Sequence, residues 1–167
     1  MKSTGIVHVA VAFLVAVVIA VAWGSVVQTQ YNLAALATIG ADIGPVRMNA
    51  TLRDLFSGFF PTYGGYIVLP ALLVAFGIAE FLSRRYLPGW RLALFGLAGF
   101  ISIFLAIPLV NKLSPVALLV GATRDWGCTF WMSVAGIVSG LVFAWMTRIA
   151  ARQHRQPAIT PQVVPAE

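Results

Sequence analysis

The apolar run IVHVAVAFLVAVVIAVAW, residues 6–23, decides the class of this chain. An α-helix rises about 1.5 Å per residue, so about 20 apolar residues cross a hydrocarbon core of about 30 Å. Three further runs of similar length occupy residues 64–82, 92–110 and 128–146. The pattern therefore predicts an all-α membrane protein with four transmembrane helices.

The overall composition agrees with a membrane environment. The chain is 60% hydrophobic and has a mean hydropathy of +0.91, whereas soluble domains contain about 45–50% apolar residues. Residues 1–152 are predicted to form one four-span membrane domain. The tail, residues 153–167, contains three prolines and no apolar periodicity, which predicts disorder. The single cysteine, Cys128, excludes an intramolecular disulfide and any CxxC site.

The positive charge is distributed as membrane topology requires. The net charge is +6, and the basic residues flank the apolar runs, which argues for topology rather than nucleic-acid binding. Seven of the 11 Lys and Arg residues lie in the N-terminus, the second connection and the C-terminal flank. The positive-inside rule then places both termini in the cytoplasm, and we expect a bacterial inner membrane.

The first run has two interpretations. Lys2 followed by an apolar stretch and Ala20-Val21-Ala22 is typical of a cleaved signal peptide. The run is longer than a signal-peptide core of about 7–15 residues, and bulky Trp23 would follow the cut, which favours a retained anchor.

The first connection, residues 24–63, is the longest of the chain. Its second half predicts a short amphipathic helix, stopped by Pro61. Apolar residues share one face and polar residues another, namely Met48, Leu52, Leu55 and Phe59 against Arg47, Thr51 and Asp54. This helix either rests on the outer bilayer surface or forms a platform that docks a partner or lines a lateral opening.

Polar residues from the first and third connections are predicted to meet at the outer end of the helices. They form either one cluster or separately solvated charges. The candidates are Gln28, Gln30, Asn32, Arg47, Arg53, Asp54, Lys112, Arg124 and Asp125.

Two features are expected within and between the spans. Glu80 and Arg84 are spaced i,i+4 near a span end, which favours an interfacial ion pair over a proton-coupling carboxylate. Small residues on the third and fourth spans predict close helix packing, either within one chain or between copies. These residues are Gly96, Gly99, Gly136 and Gly140.

Three segments resemble known proteins. Val27–Leu33, Thr51–Leu55 and Pro61-x-Tyr63 are similar to segments of small four-helix inner-membrane proteins of proteobacteria, a resemblance that implies the four-span layout but no activity. The long first and short second connections also resemble the claudin-type tetraspan arrangement. The paired loop cysteines of that family are absent, so its function is not carried over.

No HExxH motif, histidine cluster or pair of intramembrane carboxylates is present, so we predict a non-enzymatic protein without a cofactor. The leading hypothesis is a protein that binds or scaffolds a lipid or a membrane-protein partner through the first connection. The alternative is a small oligomeric transporter or channel. The expected partners are the lipid bilayer and a membrane protein or further copies of the chain, and nucleic acid is not among them.

Overall fold

The computed structural model of this chain describes residues 2–40, 42–56, 62–113 and 126–153, and every regular element in these ranges is helical. In chain order the elements are α1 (Lys2–Thr38), α2 (Arg47–Phe56), α3 (a π-helical turn at Gly64–Val68 continued by Leu69–Arg85), a 3₁₀ turn (Pro88–Trp90), α4 (Arg91–Leu113) and α5 (Trp126–Gln153). The helices α1, α3, α4 and α5 are long and apolar enough to cross a membrane, which indicates an integral membrane protein. The predicted all-α class with four candidate spans is confirmed.

The first long helix differs from its prediction. The end of the apolar run at Trp23 predicts a loop from residue 24 onwards, but α1 continues without a break to Thr38. The correction has a simple reason, since residues 24–38 contain no proline and finish in strong helix formers, Leu-Ala-Ala-Leu-Ala. With 37 residues, α1 is about 55 Å long, whereas α4 with 23 residues is about 35 Å long. One end of α1 therefore extends well past a hydrocarbon core of about 30 Å.

A wide turn opens α3. The π-helical segment Gly64–Val68 ends two residues before Pro70. Proline has no backbone N–H, and its ring clashes with the carbonyl four residues earlier, here that of Tyr66. A π-helical turn absorbs this clash without breaking the helix. The turn also brings Gly64 against α1, where an added Cβ atom would lie 3.0 Å from Val21 Cγ2.

Four phenylalanines form the centre of the core, one from each long helix. Phe76 of α3 stacks on Phe143 of α5 with their ring centroids 4.8 Å apart, and Phe95 of α4 lies 5.2 Å from Phe143. Phe13 of α1 meets Phe76 and Phe143 edge-on, at 6.2 and 6.4 Å. These are favourable aromatic geometries, each worth about 0.5–1.5 kcal/mol beyond burial. The cluster joins all four helices at one level.

The seam between α4 and α5 is the closest helix contact. A Cβ atom added to Gly99 would lie 2.1 Å from the Gly136 carbonyl oxygen, and one added to Gly140 would lie 2.1 Å from that of Phe95. The two backbones therefore touch at these positions, which only glycine permits. Gly96 is different, since its added Cβ would reach no atom closer than 3.6 Å. Its neighbours are Ile137 and Leu141 of α5, so all four predicted packing glycines lie at an intramolecular seam, and three of them lie at backbone contacts.

The predicted disordered tail lies outside the described residues, except for Gln153, which ends α5.

Candidate functional site

The part of α1 beyond the apolar run, together with α2, forms the most unusual surface of the molecule. We call residues 24–38 of α1 and all of α2 the platform. At its base, the indole Nε1 of Trp23 donates a hydrogen bond to the carbonyl of Trp131 on α5, with 3.1 Å between the atoms. Residues 34–40 are all exposed, so the outer part of α1 stands clear of the other described helices. The helix α2 contacts α1 at Thr29 and Gln30, just below this exposed part.

A closed ring of hydrogen bonds fastens α2 to α1. Arg47 Nε donates to Gln30 Oε1 at 2.6 Å, and Gln30 Nε2 donates to Thr51 Oγ1 at 3.1 Å. The Thr51 hydroxyl in turn donates to the backbone carbonyl of Arg47 at 2.9 Å. Both ends of the Gln30 amide are thereby paired. The first bond is charge-assisted and is therefore the strongest of the three.

A second contact lies one residue away on α1. The buried Thr29 hydroxyl is 2.8 Å from Asp54 Oδ2 and 2.9 Å from the Ser25 carbonyl oxygen, so its single proton has two acceptors. Arg47 and Asp54 lie two turns apart on α2, yet they reach adjacent residues of α1, Gln30 and Thr29. Helices that ran side by side would place such contacts about seven residues apart on both partners. The convergence indicates that α2 crosses α1.

The polar face of α2 is directed at α1 and three of its large apolar residues are exposed, whereas Leu55, predicted on the apolar face, is half-buried. Met48 is 71% exposed, Leu52 46% and Phe56 78%. No residue of α2 is buried. We call Met48, Leu52 and Phe56 the apolar strip of α2. Hydrogen bonds to Gln30 and Thr29 fasten this helix, and the exposed strip is available to a lipid or a protein.

Two buried oxygens lie beneath the crossing point. Ser25 Oγ and Gln28 Oε1 are both buried and make no hydrogen bond to the described residues. Such groups are uncommon in native proteins, because each costs about 1–3 kcal/mol. Tyr63 packs at the same level, since its ring lies against Gly24. Burial, and secondarily the Cys128 thiol, raise the pKa of the Tyr63 hydroxyl, which stays neutral.

The structure brings together only part of the predicted polar cluster. Gln30, Arg47 and Asp54 take part in the α1–α2 network, and Gln28 is buried close below it. The network does not include Asn32, which is half-buried on α1, or Lys112, which is exposed near the end of α4. Arg53 is exposed on α2, and Arg124 and Asp125 lie outside the described residues. Thr29 and Thr51 were absent from the predicted set. Their i+4 spacing from Ser25 and Arg47, whose carbonyls they contact, was the available signal.

At the opposite end of the molecule, a second polar group ties three helices together. Glu80 Oε1 accepts from Arg84 Nε at 2.6 Å, the predicted i,i+4 contact. Sequence reasoning missed the third member, Arg91, whose Nη2 lies 2.9 Å from Glu80 Oε2. The Arg91 guanidinium also donates to the Ala144 carbonyl and the Thr147 hydroxyl of α5, each at 3.0 Å. We call this group the arginine clamp.

The position of Arg91 follows from the tight turn that begins α4. The turn reverses the chain and brings Arg91 opposite Glu80, so the short connection was the signal for this contact. Its guanidinium carbon also lies 5.0 Å from the centre of the Phe95 ring, a cation–π distance. Arginine can make these contacts together because its planar group has five donors.

Within the described ranges, no group of three or more His, Cys, Asp or Glu residues is arranged to hold a metal ion. Comparison of the chain with protein-family models, curated proteins and solved structures found no match.

Proposed function

We propose that this chain is a non-enzymatic integral membrane protein that binds or scaffolds a lipid or a membrane-protein partner through the platform. The observation that carries the proposal is the orientation of α2. Its polar face is engaged by Gln30 and Thr29, whereas the apolar strip is exposed. An isolated amphipathic helix that turned its apolar residues towards water would be unfavourable, so this strip needs a lipid or protein contact.

The depth of α2 supports a position at the membrane surface. Tryptophan side chains favour the boundary between hydrocarbon and headgroups, and Trp23 and Trp131 meet at the base of the platform. Gln30 is seven residues beyond Trp23, or about 10 Å along α1. The headgroup layer on each side of the core is about 5–8 Å thick. A helix that crosses α1 at this height lies at the outer edge of the headgroup layer, where its apolar strip can meet the bilayer surface or the juxtamembrane part of a partner.

The side of the membrane follows from charge. The clamp end carries exposed Arg84, Arg85 and Arg148, so the positive-inside rule assigns that end to the cytoplasm. The platform would then face the outside of a bacterial inner membrane. A reporter fused to the C-terminus tests this orientation, and activity of a periplasmic reporter there would reverse it.

The apolar strip is tested by site-specific photo-crosslinking in intact membranes. We expect benzoylphenylalanine at position 56 to give a discrete protein adduct, or adducts of one lipid class enriched over the bulk composition. Position 73 is the control, since Leu73 is a 57% exposed residue within α3, and it should report bulk lipid. Equal adduct patterns at the two positions would refute specific binding.

A pair of α1 variants then tests whether α2 must be held in place. Gln30→Leu removes both amide contacts to α2, whereas Asn32→Leu changes a half-buried polar residue outside the network. We expect Gln30→Leu to abolish the discrete adduct at position 56 while the protein still inserts and folds. Asn32→Leu should preserve the adduct. Retention in both variants would show that the network does not position the strip.

The transporter alternative receives no support from the buried hydroxyls of α5. Ser133 donates to the Thr129 carbonyl at 2.7 Å, and Ser139 donates to the Gly136 carbonyl at 3.1 Å. These hydroxyls are satisfied within their own helix, as is common for serine in membrane helices.

A further inference from the structure

A long apolar groove runs between α3 and α4, and none of the platform or arginine-clamp residues lines it. Its volume is about 620 Å³, and its lining is almost entirely hydrocarbon. Small side chains create the space, among them Ala71 on α3 and Ala98 on α4. Along α3 the groove extends from Tyr66 to Leu82, a distance of about 24 Å. It therefore covers most of the thickness of a hydrocarbon core.

The shape of the groove selects a narrow occupant. A volume of about 620 Å³ spread over about 24 Å corresponds to a mean cross-section of about 26 Å². An α-helix with side chains is about 10 Å across, so its cross-section is about three times larger. The groove is therefore too small to enclose a helix along its length, and a single hydrocarbon chain is the slimmer apolar occupant. A helix could cover its opening without filling it.

One end of the groove carries an available cation. Arg85 follows Leu82 by three residues and Ile78 by seven, so it lies on the groove-lining face of α3. It is exposed, and the ion pairs of the described residues at this end use Arg84 and Arg91 instead. On the other wall, Trp90 precedes the lining residue Leu94 by four residues and is 67% exposed. A cation and an indole at the end of an apolar groove suit the phosphate and glycerol region of a lipid.

We propose that this groove is a binding site for an anionic phospholipid, with one acyl chain along α3 and α4 and the phosphate at Arg85. The chemistry of the groove matches that of the ligand over its whole length. Hydrocarbon meets hydrocarbon from Tyr66 to Leu82, and positive charge lies where an anionic headgroup begins. The site lies away from the apolar strip of α2, so the evidence for it and its test do not depend on the function proposed for the platform.

The proposal is tested by native mass spectrometry of the full chain in detergent, titrated with phosphatidylglycerol and, separately, with phosphatidylcholine. We expect tighter binding of phosphatidylglycerol. Arg85→Gln should weaken that binding about fivefold, since a basic residue near an anionic lipid surface contributes that much, and should leave phosphatidylcholine nearly unchanged. The matched control is Arg148→Gln, which removes an exposed charge from α5 at the same end. Equal losses of phosphatidylglycerol affinity in the two variants would attribute the effect to general surface charge and refute a specific site at Arg85.

The groove itself is tested by filling it from either wall. Ala98→Leu and Ala71→Leu should each weaken the binding of both lipids, because the added side chain occupies the space of the acyl chain. Circular dichroism identifies a variant that does not fold. If one variant fails to fold, lipid binding by the variant on the other wall tests the groove. Unchanged lipid binding in a folded variant would refute an acyl chain in the groove. Loss of self-association instead of lipid binding would assign the groove to a second copy of the chain and equally refute the proposal.

Discussion

The contact between α4 and α5 makes a sharp prediction about a single methyl group. A Cβ atom at position 136 would lie 2.2 Å from the Gly99 carbonyl oxygen and 2.7 Å from the Phe100 nitrogen. Both are backbone atoms, so no side chain can rotate away. Ordinary contacts begin at about 3.4 Å, which means that Gly136→Ala must separate the helices by about 1 Å. Because Gly140 meets the Phe95 carbonyl equally closely, a small rotation of α5 does not relieve the clash.

The expected cost follows from two opposing effects. Overpacking a well-packed contact costs about 1–3 kcal/mol. Because the atoms that the new Cβ meets are backbone atoms, the cost should lie in the upper half of that range, about 2–3 kcal/mol. Alanine recovers about 1 kcal/mol through its higher helix propensity. We therefore expect Gly136→Ala to lower the free energy of unfolding by about 1–2 kcal/mol. The matched control is Gly77→Ala on α3, where an added Cβ would have no atom within 4 Å, and there we expect no loss.

The free energy of unfolding of both variants is measured by titrating the protein in mild detergent micelles with sodium dodecyl sulfate. Far-UV circular dichroism follows the loss of helix. Gly96→Ala adds an intermediate case, since its nearest contact at 3.6 Å is an ordinary one and should be tolerated. If Gly136→Ala were as stable as Gly77→Ala, the reasoning from the seam would fail. If it instead changed only the oligomeric state, the glycine face would belong to an interface between copies.

Two further predictions concern the polar groups at the two ends. Arg91→Lys keeps the charge opposite Glu80 but cannot reproduce the forked contacts to α5. The free energy of unfolding should therefore fall by about 1–2 kcal/mol in the same assay. Unchanged stability would mean that the arginine clamp contributes only its charge. Thr29→Ala leaves half-buried Asp54 without its hydroxyl donor and should cost about 1–2 kcal/mol, whereas Ser25→Ala removes a buried oxygen without a described partner and should be neutral or stabilising. Equal losses from these two alanine variants would contradict the assigned hydrogen bonding.

The long helices could be predicted from sequence because hydropathy alone detects them. Each candidate span contains a long window with few charges, and no tertiary information is needed to recognise it. The end of α1 could not be predicted in the same way. Hydropathy falls after Trp23 because Gln28, Thr29 and Gln30 follow, but polarity does not end a helix. What sustains this part is its local helix propensity and the contact with α2, and the second of these is a tertiary effect.

The contacts of the platform and of the arginine clamp could likewise be predicted from sequence only in part. The i,i+4 pair of Glu80 and Arg84 was predictable because both residues lie on one helix. Arg91 reaches Glu80 only because a turn folds α4 back against α3, and it reaches α5 only because the glycine seam brings that helix close. Likewise, the network of Gln30 depends on where α2 crosses α1. Sequence spacing supplies local pairs, whereas contacts between helices require the packed structure.

The packing also indicates which helix can move. The backbones of α4 and α5 touch at Gly99 and Gly136, so these two helices should behave as one unit. Within the described residues, α3 meets that unit through side chains, by the Phe76–Phe143 stack and the Glu80–Arg91 contact, and the apolar groove lies along its boundary with α4. A ligand that fills the groove would therefore act mainly on the position of α3. The π-helical turn at the other end of α3 packs against α1 close to the platform. A shift of α3 would therefore change the packing at the base of the platform. We thus expect lipid binding in the groove to alter crosslinking at position 56, and independence of the two would mean that α3 is rigidly held.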